Sequence, residues 1–232
     1  MCAIIGAIFD HPTTDDLESI QRVFLESRIR GMHATGISYT QDGVVKTIKE
    51  AIPAHEFVDY HMQDMTSFID VNGRLALIGH CRYSTSDLEF NQPIANSEVS
   101  IVHNGVITQE LPEKWKGLYG YDCETRNDTE LLLHTIKDDK SPLEVWSNSS
   151  LAVIELYASQ SVRFYRNGKR PLYLTSVANG SIITSTMNIA KRAGLENSSG
   201  VKFNTYITLN ENGITEEYVP TNQSDLQEMH YV

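Results

Sequence analysis

The second residue of this chain is a cysteine, and its position allows two interpretations. Cys2 stands directly behind Met1, at the head of an apolar run over residues 3–9. As a small apolar residue it would pack in the core beside a buried strand. If Met1 is removed, Cys2 carries a thiol and a free α-amine, and an adjacent base can activate a nucleophile. The rest of the sequence has to distinguish a packing residue from a nucleophile.

Four polar clusters contain the other side chains that could take part in chemistry. They span residues 30–36, 80–85, 103–105 and 127–130. Each lies where a predicted strand ends or a predicted helix begins, a common position for site residues. Taken alone, Asn-Gly is most often a turn, Asp at a helix start is most often a cap, and Arg after a strand usually forms an ion pair. Only the combination of clusters supports a functional argument.

Hydrophobic periodicity predicts the elements that would position these clusters. A helix is predicted from a capping box at Asp15 and Glu18 to about Ile29, a second over 54–68, and a third after Asp128, which we expect to cap it. Strands are predicted over 3–9, 36–40, 44–48, 75–80, 99–103, 151–157, 162–166, 172–176, 181–184, 206–209 and 214–218. Many strands with few, irregularly placed helices predict a layered α+β domain.

Composition excludes several classes of protein. The 232 residues are 41% hydrophobic and 21% charged, which is typical of a globular protein with a substantial core. The formal net charge of -11 argues against binding to a nucleic-acid backbone. The sequence has no apolar run of a membrane helix and no signal peptide. Three cysteines are too few for a disulfide framework, so we expect a protein of the reducing cytoplasm.

Other catalytic signatures are missing from the sequence. The eight histidines form no HxxxH pair, and the three cysteines lack CxxC spacing, so no zinc site is expected. There is also no GxSxG elbow and no GxxxxGK[ST] phosphate loop. We therefore expect no metal and no cofactor.

Seven short motifs occur in a fixed order along the chain. They are Met-Cys-Ala-Ile at 1–4, Arg-Gly-x-x-x-x-Gly at 30–36, Gly-His-Cys-Arg-Tyr-Ser-Thr at 79–85, Gln-Pro-Ile at 92–94, Val-His-Asn-Gly at 102–105, Asn-Asp-Thr-Glu at 127–130 and Arg-Asn-Gly-Lys-Arg-Pro-Leu at 166–172. In this order they resemble the class II glutamine amidotransferases, whose glutaminase domain belongs to the N-terminal nucleophile hydrolases. The resemblance is strongest to the glutaminase half of glutamine phosphoribosylpyrophosphate amidotransferases.

The resemblance covers residues 1 to about 219 and carries expectations about fold. It implies an α+β domain built as a four-layer αββα sandwich of two mainly antiparallel sheets. We expect a glutaminase domain over 1–219 and a polar C-terminal tail over 220–232.

The resemblance also implies the roles of individual residues. Cys2 would attack the amide of glutamine, with its own α-amine as base. The Asn104 side chain and the Gly105 N–H would form the oxyanion hole. The His80 and His103 side chains would have structural roles around the site.

Free glutamine carries a carboxylate and an ammonium, so its recognition needs a cation and an anion. By the resemblance, Arg82 would bind the carboxylate and Asp128 the ammonium. Thr85 and Arg30 complete the implied substrate-binding set, with Arg30 expected to buttress the nucleophile.

Two positions depart from the family pattern. Ala3 stands where the family usually has glycine, and we expect its extra methyl group to be tolerated. Cys81 stands beside Arg82, but neighbouring residues on a strand point to opposite faces, so we interpret Cys81 as a core residue.

Three functions remain open at this point. The first is a glutaminase that passes ammonia to an acceptor, expected to be a separate synthase or transferase protein because no acceptor segment follows residue 219 in this sequence. The second is an N-terminal cysteine hydrolase of another γ-glutamyl amide. The third is a catalytically silent regulatory domain, which the presence of Cys2, Asn104 and Gly105 argues against.

Overall fold

The computed structural model describes residues 2–84 and 88–220, which fold into two β-sheets flanked by helices. The strands are β1 (Ala3–Asp10), β2 (Ala34–Gln41), β3 (Val44–Glu50), β4 (Arg74–Arg82), β5 (Ile94–Ala95), β6 (Val99–His103), β7 (Ala152–Tyr157), β8 (Val162–Arg166), β9 (Tyr173–Val177), β10 (Gly180–Thr184), β11 (Ser199–Gly200), β12 (Thr205–Asn210) and β13 (Gly213–Tyr218). The helices are α1 (Thr14–Ser27), α2 (Ala54–His61), α3 (Pro112–Tyr119), α4 (Thr129–Lys137), α5 (Pro142–Val145) and α6 (Met187–Arg192).

Both sheets are antiparallel between neighbouring strands. The first has the order β11-β9-β10-β1-β4-β2-β3, and the second has the order β13-β12-β8-β7-β6-β5. Strand β1 lies in the centre of the first sheet and is buried on both faces. Because alternate residues of a strand point to opposite faces, such a strand is apolar at nearly every position.

Three apolar cores separate four layers. Ile4 of β1 and Ile154 of β7 belong to the core between the two sheets. Phe24 of α1 packs in the core that covers the outer face of the first sheet. Trp115 of α3 and Leu132 of α4 pack in the core that covers the outer face of the second. The expected αββα sandwich of mainly antiparallel sheets is confirmed.

The strand ends that carry the polar clusters meet at one edge of the sandwich. Ala3, at the start of β1, is the register partner of Cys81, near the end of β4. His80 of β4 lies close enough to His103, at the end of β6, for the two rings to interact electrostatically. The residues that follow β4 and β6 therefore lie near Cys2.

One detail of each of the first two predicted helices is wrong. Helix α1 begins at a capping box formed by Thr13 and Asp16, in which the Thr13 N–H donates to the Asp16 carboxylate at 2.8 Å, and Asp15 and Glu18 do not form one. The helix predicted over 54–68 is interrupted after α2. There the Asp64 carboxylate accepts a hydrogen bond from the Thr66 N–H at 3.1 Å and starts a separate 3₁₀ turn, Met65–Phe68. Asp side chains can replace helical hydrogen bonds in this way, because they bond to backbone N–H groups a few residues ahead.

Helices α3 and α6 were not predicted, although both carry end signals. Helix α3 has Pro112 in its first turn and Gly120 in the left-handed conformation after its last turn. Helix α6 is capped by Thr186, whose hydroxyl accepts from the Ile189 N–H.

Within the described ranges, no helix is both long enough and apolar enough to cross a lipid bilayer. Most of the predicted tail, and Thr85 of the site, lie outside the described residues, and the predicted domain boundary stays a prediction.

Candidate active site

Cys2 is half-buried at the start of β1, and its position is set by two contacts. The Arg30 Nε donates to the Cys2 carbonyl at 2.9 Å, and the Cys2 Sγ lies 3.9 Å from the Tyr83 carbonyl oxygen. Arg30 can reach Cys2 because Gly31 lies directly on the backbone of β4, where a Cβ atom would overlap the Cys81 carbonyl. The Arg30 guanidinium thus contacts the backbone of Cys2, and its role as a buttress stays a prediction.

The methyl group of Ala3 is accommodated in the core. Ala3 is fully buried and packs in the core between the first sheet and its helices, together with Cys81. Since side chains alternate along a strand, this methyl group and the Cys2 side chain lie on opposite faces of β1. Cys81 is buried as expected, and burial together with Cys2 raises the pKa of its thiol to about 12.

The turn after β6 presents two hydrogen-bond donors that no described residue accepts from. Asn104 is buried and pairs with Ala152 through both of its backbone groups, at 2.9 and 3.3 Å. Its side-chain Nδ2 is buried and has no hydrogen-bond partner among the described residues. The adjacent Gly105 N–H has no acceptor among them either. Buried donors are normally paired, and neighbouring unpaired donors are what a developing oxyanion requires.

Gly105 cannot be replaced by a larger residue without moving the turn. A Cβ atom at this position would overlap the Ser150 carbonyl oxygen and the His103 ring. Ser150 in turn holds the turn from the neighbouring segment. Its Oγ accepts from the Val106 N–H at 2.9 Å, and its carbonyl lies 2.9 Å from the His103 Nε2.

Two further buried side chains support this turn. Both belong to sequence motifs named above, but no role was predicted for either of them. The Gln92 Oε1 accepts from the His103 N–H at 2.6 Å. The Asn167 Oδ1 accepts from the Leu151 N–H at 3.0 Å, and its Nδ2 donates to the Ser149 carbonyl at 2.7 Å. Asn167 thereby holds the segment that carries Ser150. Their place in the motifs was the only signal in the sequence, because their burial is visible only in the structure.

Arg82 lies at the end of β4, where it contacts the segment that leads to β5. Its Nη1 donates to the Phe90 carbonyl at 3.1 Å and to the Asn91 Oδ1 at 2.7 Å. Lys49 holds the same segment from the other side, because its Nζ donates to the Asn91 and Pro93 carbonyls at 2.9 and 3.1 Å.

Asp128 occupies the N-cap position of α4, but the expected side-chain cap is wrong. Its Oδ2 accepts from the Ile107 N–H at 2.7 Å, so the carboxylate ties the turn at 104–107 to the helix. The Asn127 Oδ1 accepts from the Thr129 N–H at 3.1 Å instead. No donor from the described residues reaches the Asp128 Oδ1, which leaves that oxygen available to a cationic ligand.

Two buried histidines lie behind the site. Burial, together with the nearby Arg82 and His103, lowers the pKa of His80 to about 3, and neither of its ring nitrogens has a hydrogen-bond partner among the described residues. Burial also lowers the pKa of His103, although the charge of Asp128 opposes this shift. With these lowered pKa values both rings are uncharged at neutral pH; the His80 ring packs without a hydrogen bond to a described residue, and the His103 ring contacts the Ser150 carbonyl.

Comparisons of sequence identify relatives over part of the chain. No family model matches it. The chain is similar to the glutamine–fructose-6-phosphate aminotransferase (isomerizing) of Streptococcus pyogenes serotype M6, with 30% identity over 168 residues, which cover 67% of this chain and 26% of that protein. The corresponding protein of Bartonella henselae is 31% identical over 154 residues, 62% of this chain and 24% of the relative. These matches thus span about a quarter of the length of the curated relatives.

Comparisons of structure cover nearly the whole chain. The glutamine phosphoribosylpyrophosphate amidotransferase of B. subtilis, solved with ADP and GMP, superimposes with a TM-score of 0.70 at 19% identity, over 94% of this chain and 49% of that chain. A class II glutamine aminotransferase domain protein from Silicibacter pomeroyi superimposes with a TM-score of 0.57 at 12% identity, over 95% of this chain and 100% of that chain.

Proposed function

The chain belongs by fold and by sequence to the class II glutamine amidotransferases, which have the N-terminal nucleophile hydrolase fold, and we propose that it hydrolyses the side-chain amide of glutamine. The products are glutamate and ammonia. The observation that carries this proposal is the pair of donors at Asn104 and Gly105 that have no acceptor among the described residues, on the sheet edge where Cys2 directly precedes β1.

The reaction runs through a thioester on Cys2. Once Met1 is removed, the free α-amine takes the thiol proton and the thiolate attacks the amide carbon of glutamine. The amine then returns the proton to the leaving nitrogen, which departs as ammonia. Water, activated by the same amine, hydrolyses the γ-glutamyl thioester and releases glutamate.

The donors at Asn104 and Gly105 act on the tetrahedral intermediate. Its oxyanion would accept hydrogen bonds from the Asn104 Nδ2 and the Gly105 N–H. Because the turn is already held by Ser150 and Gln92, the donors need no reorganisation during the reaction. One such donor is worth about 3 kcal/mol of transition-state stabilisation.

Recognition of the amino-acid head would use the two charged residues beside this turn. The Asp128 Oδ1 is available for the ammonium, and the forked donors of Arg82 suit the carboxylate. Thr85 remains a proposed substrate-binding residue.

Intact-mass analysis with a diazoketone analogue of glutamine tests the nucleophile. We expect the parent protein to have the mass of the chain without Met1 and to gain one equivalent of label with loss of nitrogen gas. A Cys2→Ala variant provides the control, because the thiols of Cys81 and Cys123 remain in it. Labelling of the variant to the same extent as the parent would contradict the assignment of Cys2.

Substrate comparison separates glutamine from other γ-glutamyl compounds. We expect kcat/KM to be highest for free glutamine and lower for γ-glutamyl amides that have a substituent on the amide nitrogen. The opposite order would make the chain a hydrolase of γ-glutamyl conjugates. Absence of both turnover and labelling would make it a regulatory domain.

We further propose that the ammonia passes to a separate synthase or transferase that docks beside the nucleophile. A groove of about 830 Å³ borders Arg30 and Tyr83, the two residues that contact Cys2. Its described lining contains the cations Arg30, Arg170 and Lys191 and no acidic residue. On a chain with a net charge of -11, this local excess of positive charge favours an acidic partner surface.

The free cysteines and the proposed thiol nucleophile are consistent with the reducing cytoplasm as the location.

Reversal of charge in the groove tests the docking proposal. We expect glutamine hydrolysis by the chain alone to be slow and to rise when the partner is added from fractionated cell extract. A Lys191→Glu variant should keep the basal rate and lose most of the stimulation, whereas Lys46→Glu, exposed on β3, should behave like the parent. A high basal rate that no fraction changes would contradict dependence on a partner.

A further inference from the structure

A second group of reactive side chains lies away from the proposed catalytic cysteine, where the segment 120–127 meets helix α4. Cys123 comes from the segment, and Glu130 and His134 come from one face of the helix. The Cys123 Sγ, one Glu130 oxygen and one His134 ring nitrogen all lie within 4.8 Å of one another. Thiolate, carboxylate and imidazole are the three ligand types that zinc accepts in proteins.

The distances are close to those of a bound tetrahedral ion. With bonds of 2.0–2.3 Å, neighbouring ligand atoms around zinc are about 3.3–3.8 Å apart. The His134 Nε2 and the Glu130 Oε1 are already 3.7 Å apart. The remaining distances are at most 4.8 Å, so a shift of about 1 Å closes them, which a small torsion of the Cys123 side chain within its rotamer supplies.

Neighbouring groups hold the two helical ligands in place. The Glu130 Oε1 accepts from the Glu124 N–H at 2.7 Å, and its Oε2 accepts from the Thr125 N–H at 2.7 Å. Each carboxylate oxygen has more than one lone pair, so Oε1 can also bind an ion. The Tyr121 ring stacks on the His134 ring, with centroids 5.2 Å apart and planes 11° from parallel. Orientation by such supporting groups is characteristic of metal ligands.

The surroundings of the thiol are negative and favour a cation. The carboxylates of Glu130 and Asp122 lie close enough to the Cys123 thiol to act on it electrostatically.

We propose that Cys123, Glu130 and His134 bind one divalent transition-metal ion of the zinc class, with water as the fourth ligand. The ion would fasten the segment 120–127 to helix α4, next to Asp128. This proposal is independent of the proposed glutamine hydrolysis, since it uses none of the residues placed in that reaction.

Titration with cobalt(II) tests the site in a variant that lacks the Cys2 thiol, which could otherwise compete for the ion. In full-length protein carrying Cys2→Ala, we expect one equivalent of cobalt with a thiolate-to-cobalt charge-transfer band and the visible bands of a four-coordinate ion. Zinc should displace it. Adding Cys123→Ser should abolish the charge-transfer band and weaken binding about 100-fold, and His134→Gln should weaken it about 10- to 100-fold.

A matched histidine provides the control. His55 lies 3.9 Å from Glu56 on α2, with no cysteine nearby among the described residues, so His55→Gln should leave the binding curve unchanged. X-ray absorption of the zinc-loaded Cys2→Ala protein should give one sulfur ligand, which keeps the proposal testable if a variant fails to fold. A spectrum with only nitrogen and oxygen ligands, a charge-transfer band that persists in Cys123→Ser, or the absence of stoichiometric binding would each overturn the proposal.

Discussion

The two halves of the candidate site are positioned by different means. In the reaction half, Asn104 is held through its backbone, which pairs with Ala152, and its side-chain donor has no hydrogen-bond partner among the described residues. In the recognition half, the Arg82 guanidinium donates to the segment before β5, and the Asp128 carboxylate accepts from Ile107. In the proposed assignment, the reaction half keeps its side-chain donor for the substrate, and the recognition half uses its charged side chains for contacts within the protein as well.

This difference has a consequence for mutation. Removing a side chain from the reaction half deletes a catalytic group and leaves its backbone scaffold in place. Removing one from the recognition half also deletes a structural contact. We therefore expect kcat to change alone in the first case, and KM to change together with local structure in the second.

The largest effect should come from Cys2→Ala, which removes the nucleophile and leaves β1 intact. We expect kcat for glutamine hydrolysis to fall by about 10⁴-fold or more. The melting temperature should stay close to the parent value, because the Arg30 contact to the carbonyl of residue 2 is kept and only the long contact from Sγ to the Tyr83 carbonyl, at 3.9 Å, is lost. Glutamate release and thermal unfolding measure the two quantities. Turnover within about tenfold of the parent would contradict the nucleophile assignment.

The next largest effect should come from Asn104→Ala, which deletes an unpaired donor. We expect kcat to fall about 10²- to 10³-fold with little change in KM, since the donor acts on the oxyanion and not on bound glutamine. Asn179→Ala, at the far end of β1 from Cys2, is the control and should leave both constants unchanged. A rise in KM without a fall in kcat would place Asn104 in recognition instead.

Asp128 offers two variants that separate its roles. Asp128→Asn keeps an acceptor for the Ile107 N–H and removes the charge, so KM should rise about 10- to 100-fold while kcat changes less. Asp128→Ala also frees the turn at 104–107, so kcat should fall in addition. Steady-state kinetics of both variants measure the split. Identical constants for the two variants would mean that the bond to Ile107 does not position the oxyanion turn.

Residue type and order were enough to predict much of the fold. The continuous apolar run at 3–9 predicted the central strand β1, and the motif order predicted the αββα layers. Helix α3 was missed because its apolar residues are few and its end signals, Pro112 and Gly120, lie in a polar stretch. The break after α2 was missed because the apolar periodicity continues through it, and only the side chain of Asp64 starts a new turn.

The candidate site was predicted less completely than the fold. The motifs identified Asn104 and Asp128, but they could not show that the Asp128 carboxylate reaches Ile107 instead of capping α4, because that bond joins distant segments. Histidine pairs and CxxC spacing are the sequence patterns typical of zinc sites, and this chain has neither. Glu130 and His134 have the same i, i+4 spacing on one helical face, with the third group, Cys123, in the preceding segment.

The smallest effect concerns the histidines behind the two halves. His80 precedes Arg82 by two residues, and its ring nitrogens have no hydrogen-bond partner among the described residues. His103 precedes Asn104, and its ring contacts the Ser150 carbonyl. The pKa of His80 is lowered from 6.5 to about 3, so between these values the unfolded chain binds a proton that the folded chain does not. The free energy of unfolding should therefore decrease as the pH falls through this window, by about 1.4 kcal/mol per pH unit for each such histidine.

Urea unfolding of the parent and of His80→Leu at pH 7 and pH 5 measures this contribution. Because the His80 ring makes no hydrogen bond to a described residue, the variant should be about as stable as the parent at pH 7. Its loss of stability on going to pH 5 should be smaller than the parent's by about 2 kcal/mol, while the lowered pKa of His103 still contributes in both proteins. His11→Leu, which changes an exposed ring, should keep the full pH dependence of the parent. An equal loss in His80→Leu and the parent would mean that the His80 ring gains a proton in the folded protein as readily as in the unfolded chain, and that the strand end carrying Arg82 is open to water.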